Sequence, residues 1–188
     1  MNRLQKNLAR KNQRGFALLE LTVAIILVSL LGAAAIYAYQ ANQRRTEVKE
    51  NVTQVIETSA ELQKKFGINN QYGAVTTAIA VQSRAVPSNL RVTGTNTAQN
   101  SYGGAITAAP LTLTSADDSI ALTWSNVPQS QCIDLVQSGH QVARRVRVAA
   151  TVVKVLDTAA PVVATLATQC ESADRVDVIF DIGRTPNV

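Results

Sequence analysis

The chain has 188 residues and a formal net charge of +5, enough for one long helix and one modest globular domain but not for two ordinary domains. Five of its 18 basic residues (Arg3, Lys6, Arg10, Lys11 and Arg14) precede Gly15, in a stretch without Asp or Glu; the remaining 13 balance the 13 acidic residues. The basic excess therefore belongs to the N-terminal segment and not to a folded surface, which argues against a nucleic-acid binder recruited by net charge.

From Phe16 to Tyr39 the chain reads FALLELTVAIILVSLLGAAAIYAY, with Glu20 as its one charge. The run is long enough to cross a bilayer, for which about 20 helical residues suffice. Basic residues before such a span stay in the cytoplasm, so the rest of the chain is expected on the far side, an oxidising compartment. A secretory signal peptide would have a shorter apolar core followed by a small-residue cleavage site. A plain membrane anchor fits length and flanks but gives no reason for Glu20. A carboxylate in an apolar span costs a few kcal/mol without a partner, so it is read as functional. If the chain is cut after Gly15, the new Phe16 ammonium lies one helical turn, about 6 Å, from Glu20. The two could pair within one chain or between chains. Pairing between chains, repeated with a fixed rotation and rise, builds an open helical filament.

Downstream, Val48, Val52, Val55, Ile56, Leu62 and Phe66 recur at spacings of three and four, which predicts an amphipathic helix packing this stripe on a globular body. Between them lie charged residues, including the favourable Glu61/Lys65 i,i+4 pair. No proline interrupts Phe16 to Phe66, and Gly67 is a helix stop. Gly32, in the apolar half, permits close helix contact or local unwinding, or is incidental. Ala74–Arg84 reads as a short helix and Thr93–Gly104 as a loop. Strands are predicted at Gly104–Ala109, Leu111–Ser115, Ser119–Val127, Arg145–Val155 and Arg175–Ile182, with a turn at Asp117-Asp118. Pro128–Ser138 reads as a helix with the proline near its start, and Thr158–Thr168 as a short helix or loop. The fold class is α+β, a long N-terminal helix packed on a mainly antiparallel sheet.

Cys132 and Cys170 are either two buried thiols or one disulfide; placement in an oxidising compartment supports the bond. His140 is the only histidine; with Cys132 it makes at most a nucleophile–base pair lacking a third member. HExxH, CxxC, Walker A and GxGxxG patterns do not occur. Asp117-Asp118 with Asp174, Asp177 and Asp181 read as a solvated turn and an outward strand face in preference to a calcium site. Arg144-Arg145-Val146-Arg147 reads as an exposed basic edge. Asn51-Val52-Thr53 matches a glycosylation sequon.

Arg14-Gly15-Phe16-Ala17-Leu18-Leu19-Glu20 followed by the apolar run resembles the signal of type IV pilins and their relatives. The resemblance implies cleavage after Gly15 by a prepilin peptidase that methylates Phe16, and a role for Glu20 in assembly. It implies a leader at 1–15, a helix over 16–67 whose 16–39 part spans the membrane and later forms the filament core, and a periplasmic head at 68–188. The partners are other copies of the chain, the processing peptidase, the inner-membrane assembly machinery and the inner membrane itself, with no nucleic acid and no cofactor or metal. The long leader, Tyr37 where the type IVa group often has proline, and Val86-Pro87-Ser88 and Asn126-Val127-Pro128 ahead of Cys132 resemble type IVb pilins. That likeness implies a Cys132–Cys170 disulfide bounding an exposed region over 132–170. The function implied is a structural subunit of a type IV pilus, with a minor pilin or a type II secretion pseudopilin as the alternative.

Overall fold

In the computed structural model, which describes residues 13–68 and 71–183 and side chains from Leu18 onward, helix α1 runs Gln13–Phe66. No proline interrupts it, and it runs through Gly15 and Gly32 to stop where Gly67 turns the chain, its N–H donating to the Gln63 carbonyl at 2.8 Å. A Cβ at Gly67 would lie 2.5 Å from that oxygen, so the stop is built for glycine. The chain divides into two compact units, Met1–Arg45 and Thr46–Val188, so the boundary falls inside α1.

In the first unit the described part of the helix buries nothing: Leu18, Leu19, Leu21, Ile25, Leu31 and Tyr37 are all exposed. In the second unit, Val48, Val52, Val55 and Leu62 enter the core and Phe66 packs at its margin. Ile56 departs from the predicted stripe and is exposed. The positions that turn inward beside the valines are polar instead: Asn51, Gln54, Thr58 and Ser59 are all buried.

After α1 come the short helix α2 (Thr77–Gln82), capped by the Thr76 hydroxyl, and a sheet of β1 (Ala98–Gln99), β2 (Ala105–Leu111), β3 (Ser119–Pro128), β4 (Arg145–Val148), β5 (Thr151–Lys154) and β6 (Arg175–Gly183). Helix α3 (Gln129–Gly139) follows β3, with Pro128 as its N-cap, and α4 (Val163–Cys170) lies between β5 and β6. The strand order is β1-β2-β3-β6-β4-β5, and every neighbouring pair is antiparallel. The alternating residues Ile120, Leu122 and Trp124 of β3 and Val176, Val178, Phe180 and Ile182 of β6 fill one face. A bulge between Trp124 and Val127, with Asn126 at φ 66°, restores the phase so that Val127 also points inward.

Three expectations change here. Leu111–Ser115 is not a strand. β2 ends at Leu111, and the following amides of Leu113, Thr114 and Ser115, with the Thr114 hydroxyl, donate to the Asp118 carboxylate. The Arg145–Val155 strand is a hairpin, β4 and β5, folded at Ala149-Ala150 with Ala149 at φ 53°. The 93–104 segment contributes the two-residue strand β1, whose register with β2 is Ala98↔Ile106.

Candidate functional site

Two sets of residues were singled out by the sequence, and each lies in its own compact unit. In the first, Gly15, Phe16 and Glu20 all fall within α1, so the Gly15–Phe16 bond lies in helical backbone and Phe16 and Glu20 stand in an i,i+4 relation. Glu20 is exposed and flanked by exposed Leu18, Leu19 and Leu21. The other polar side chains between Leu18 and Ile36 are Thr22 and Ser29, and both are satisfied by their own helix. The Thr22 hydroxyl donates to the Leu19 carbonyl at 2.8 Å, and the Ser29 hydroxyl to the Ile25 carbonyl at 2.7 Å. Glu20 has no such local outlet among the described residues. This helix is long and apolar enough to cross a membrane, with a mean hydropathy of 2.4 in its apolar window.

In the second unit, Cys132 on α3 and Cys170 at the end of α4 are both fully buried and bonded to each other, with their Cα atoms 5.6 Å apart. The bond ties α3 to α4 and closes a segment that holds β4 and β5. It also removes Cys132 as a nucleophile for His140, whose Nδ1 instead lies 2.8 Å from the Gln137 carbonyl oxygen.

The charged motifs are only in part the solvated features the sequence suggested. Arg144 is buried; its Nε and Nη2 donate to the two Asp157 oxygens at 2.9 and 2.7 Å, and Nη1 lies 3.6 Å from Asp118. Hydrogen bonding to Asp157 raises the Arg144 pKa and lowers that of Asp157. Burial pushes the Asp118 carboxyl up, but the hydrogen bonds from Leu113, Thr114 and Ser115 outweigh it and hold it well below the usual carboxylate range. Asp181, fully buried, accepts from Arg145 Nε at 2.6 Å and from Arg147 Nε and Nη2 at 3.0 and 2.7 Å across the β4–β6 register. The arginine run is therefore an ion-paired clamp, buried at Arg144 and partly exposed at Arg145 and Arg147, rather than an unpaired basic edge. Asp118 and Asp181 are partners of that clamp, and neither is a solvated turn or outward face. Asp117, Asp174 and Asp177 are exposed.

Sequence reasoning missed Asn51. Its Oδ1 accepts the Trp124 indole N–H at 2.9 Å, and its amide N–H₂ donates to the Glu47 carbonyl at 2.8 Å. Nearby, Gln131 Nε2 donates to the Glu47 carboxylate at 2.8 Å. Asn51 is fully buried, so the sequon there is closed to modification in the folded chain. The signal that could have found it is positional: Asn51 lies between Val48 and Val52 on the face that packs.

The family described as PilS N terminal matches residues 41–183, and the prokaryotic N-terminal methylation motif matches residues 10–36. A comparison with curated proteins finds no match. Among solved structures, the type IVb pilin from Salmonella typhi is similar at 18% identity and a TM-score of 0.53, covering 70% of this chain and 99% of that one. TcpA, a type IV pilin from the Vibrio cholerae El Tor biotype, is similar at 16% identity and a TM-score of 0.46, covering 70% and 98%. With its methylation motif on the apolar helix and its long helix carried into an antiparallel head, the chain belongs to the PilS N-terminal family and is a type IV pilin precursor of type IVb fold, a structural subunit of a pilus and not an enzyme.

Proposed function

We propose that this chain is cut after Gly15, methylated on the new Phe16 amine, and polymerised as the major subunit of its pilus, with Glu20 as the assembly contact. A type IV pilin is processed by a peptidase and assembles with its own copies; the residue roles are our reading. The observation that carries it is the contrast inside the apolar half of α1: Thr22 and Ser29 satisfy their hydroxyls locally, whereas the Glu20 carboxylate has no local partner among the described residues of that exposed, apolar stretch. Such a carboxylate costs about 2.5–3.5 kcal/mol near a bilayer centre, less toward the interface. The ammonium of a neighbouring subunit's Phe16 offsets that cost only in the assembled state, so docking is selected by charge as well as by packing. The same contact, repeated with a rise that keeps the rotation from closing, gives a filament rather than a ring.

In this reading residues 1–15 are the leader, 16–67 the long helix, with 16–39 as membrane span and later filament core, and 68–188 the head. The five basic residues before Gly15 keep the leader cytoplasmic and the head periplasmic until the subunit moves from the inner membrane, through the assembly machinery, into an extracellular fibre. The buried Cys132–Cys170 bond supports a pilin over a pseudopilin.

The test is mass spectrometry of sheared filaments together with Glu20→Ala. We expect fibres built mainly of a subunit that begins at methylated Phe16. Glu20→Ala should leave the protein at normal level in the membrane and abolish fibres. Fibres of normal abundance from Glu20→Ala, or an intact Met1 terminus in cells that carry the peptidase, overturn the proposal; this subunit present only in trace amounts makes it a minor pilin.

A further inference from the structure

In the first unit the apolar run of α1 ends on two tyrosines and then two arginines. Tyr37 and Tyr39 are 77% and 64% exposed, and Arg44 and Arg45 are exposed as well. The sequence has no acidic residue between Glu20 and Glu47, and among the described residues neither arginine forms an ion pair. The Gln43 side-chain amide donates to the Tyr39 hydroxyl, so that hydroxyl keeps its own proton for an acceptor outside the chain.

The spacing matches the layers of a bilayer. At about 1.5 Å per helical residue, Phe16 to Tyr37 spans about 32 Å and Phe16 to Tyr39 about 35 Å, against a hydrocarbon core of about 30 Å. The tyrosines therefore stand at the far edge of the hydrocarbon when Phe16 stands at the near edge, and rings with one polar end settle at that edge. Arg44 and Arg45 lie about 8–9 Å beyond Tyr39, at the outer margin of a headgroup layer about 5–8 Å thick. Their long stems let the guanidinium groups reach back to the phosphates, which arginine binds through two parallel hydrogen bonds.

We propose that Tyr37, Tyr39, Arg44 and Arg45 form a collar that binds phospholipid headgroups of the far leaflet, prefers anionic lipid, and fixes the depth of the subunit in the membrane. Two unpaired positive charges favour a headgroup with a net negative charge, because a zwitterionic headgroup brings its own ammonium beside the phosphate. The proposal rests on residues 16–39 being the membrane span and is independent of the role of Glu20. Cutting after Gly15 removes the five basic residues on the opposite side of the span, so in the cut subunit the collar supplies the electrostatic hold on lipid.

Electron paramagnetic resonance on the full-length protein in phosphatidylcholine vesicles tests it. Both native cysteines are in the disulfide, so a nitroxide on Val28→Cys or Gln43→Cys is the only protein label. The label at 28 should be reached by oxygen and shielded from a water-soluble nickel chelate, and the label at 43 should show the reverse. In unlabelled protein, spin-labelled phosphatidylglycerol should associate more tightly than spin-labelled phosphatidylcholine. Arg44→Gln with Arg45→Gln should cut that preference at least ~3-fold while the Trp124 emission stays unchanged. The leader attracts anionic lipid too, but every variant keeps it. Removing the same charge from the head, by Lys64→Gln with Arg84→Gln, should leave the preference unchanged. Nickel contact at 28 overturns the span and the collar together. With 28 shielded, a shielded label at 43, an unchanged preference in the double arginine variant, or an equal fall in the head variant overturns the collar alone.

Discussion

Replacing Asn51 with Ala tests how the helix is held to the sheet. The Trp124 indole is fully buried and its N–H donates to Asn51 Oδ1 at 2.9 Å. Asn51→Ala leaves that N–H orphaned, at about 1–3 kcal/mol, and opens a small cavity, worth about 1 kcal/mol more. The better helix propensity of alanine returns about 0.5 kcal/mol. The net expectation is a loss of about 1.5–3.5 kcal/mol. The chain has one tryptophan, so urea unfolding of the detergent-solubilised protein followed by Trp124 fluorescence reads the midpoint directly. A cycle with Trp124→Phe, followed by circular dichroism, isolates the pair: each single change strands a buried polar group, and the double change strands neither. The double variant should therefore be more stable than the sum of the singles predicts, by at least about 1 kcal/mol. A loss under about 0.5 kcal/mol for Asn51→Ala, or a coupling of zero, would mean that the indole finds another acceptor and that Asn51 does not set the register.

The Asp118 carboxyl sits below its ordinary value of about 3.9, so its contribution to stability is full above that value and is lost as pH falls through the lower folded value. Asp118→Asn should cut the acid slope of stability below about pH 4 by up to about 1.4 kcal/mol per pH unit, read from urea midpoints across an acid series; an unchanged slope would refute the assignment. Ala149→Gly should stabilise the head by about 0.5 kcal/mol, because alanine at φ 53° is strained by about 1–2 kcal/mol and glycine is not, less the entropy glycine loses on folding; a thermal midpoint that falls would count against it. Cys132→Ser with Cys170→Ser should cost up to about 4 kcal/mol from the loop of sequence separation 38, and a midpoint equal to the oxidised protein would show that the bond adds nothing.

Much of the fold is legible from the sequence because it comes from long, uniform patterns. Helix α1 has no proline, β3 and β6 alternate over most of their length, and Pro128 marks the start of α3. The failures have local causes. The β4–β5 turn is made of Ala149-Ala150, and alanine carries none of the turn chemistry that flags a hairpin, although Ala149 adopts a left-handed conformation. Leu111–Ser115 alternates like a strand, but its amides are taken by Asp118, a competition that only tertiary structure reveals. Arg144, Arg145 and Arg147 looked like a solvated run because sequence shows charges without partners. Asp157 and Asp181, more than ten residues away, pair with the arginines, and of the three only Arg144 is buried.

Glu20 and Asn51 show the same physics from opposite sides. Both are polar residues on one helix, at positions where the surroundings are largely apolar. Glu20 stands out in the sequence because nothing near it is charged, and a carboxylate in such a run is expensive wherever the run is dry. Asn51 is hidden because its half of α1 is amphipathic, and a polar residue there is expected to face water. The structure turns it inward with Gln54, Thr58 and Ser59, so the face that packs on the sheet is part polar. Apolar side chains alone would let that face slide by a helical turn with little change in buried area, whereas one indole N–H has one acceptor within reach. In the apolar half Glu20 has no hydrogen-bonding or ion-pair partner among the described residues, and in our reading a second copy of the chain supplies one. A polar residue on this helix is thus a registration mark in both halves, toward its own head at Asn51 and, in our reading, toward a second copy of the chain at Glu20.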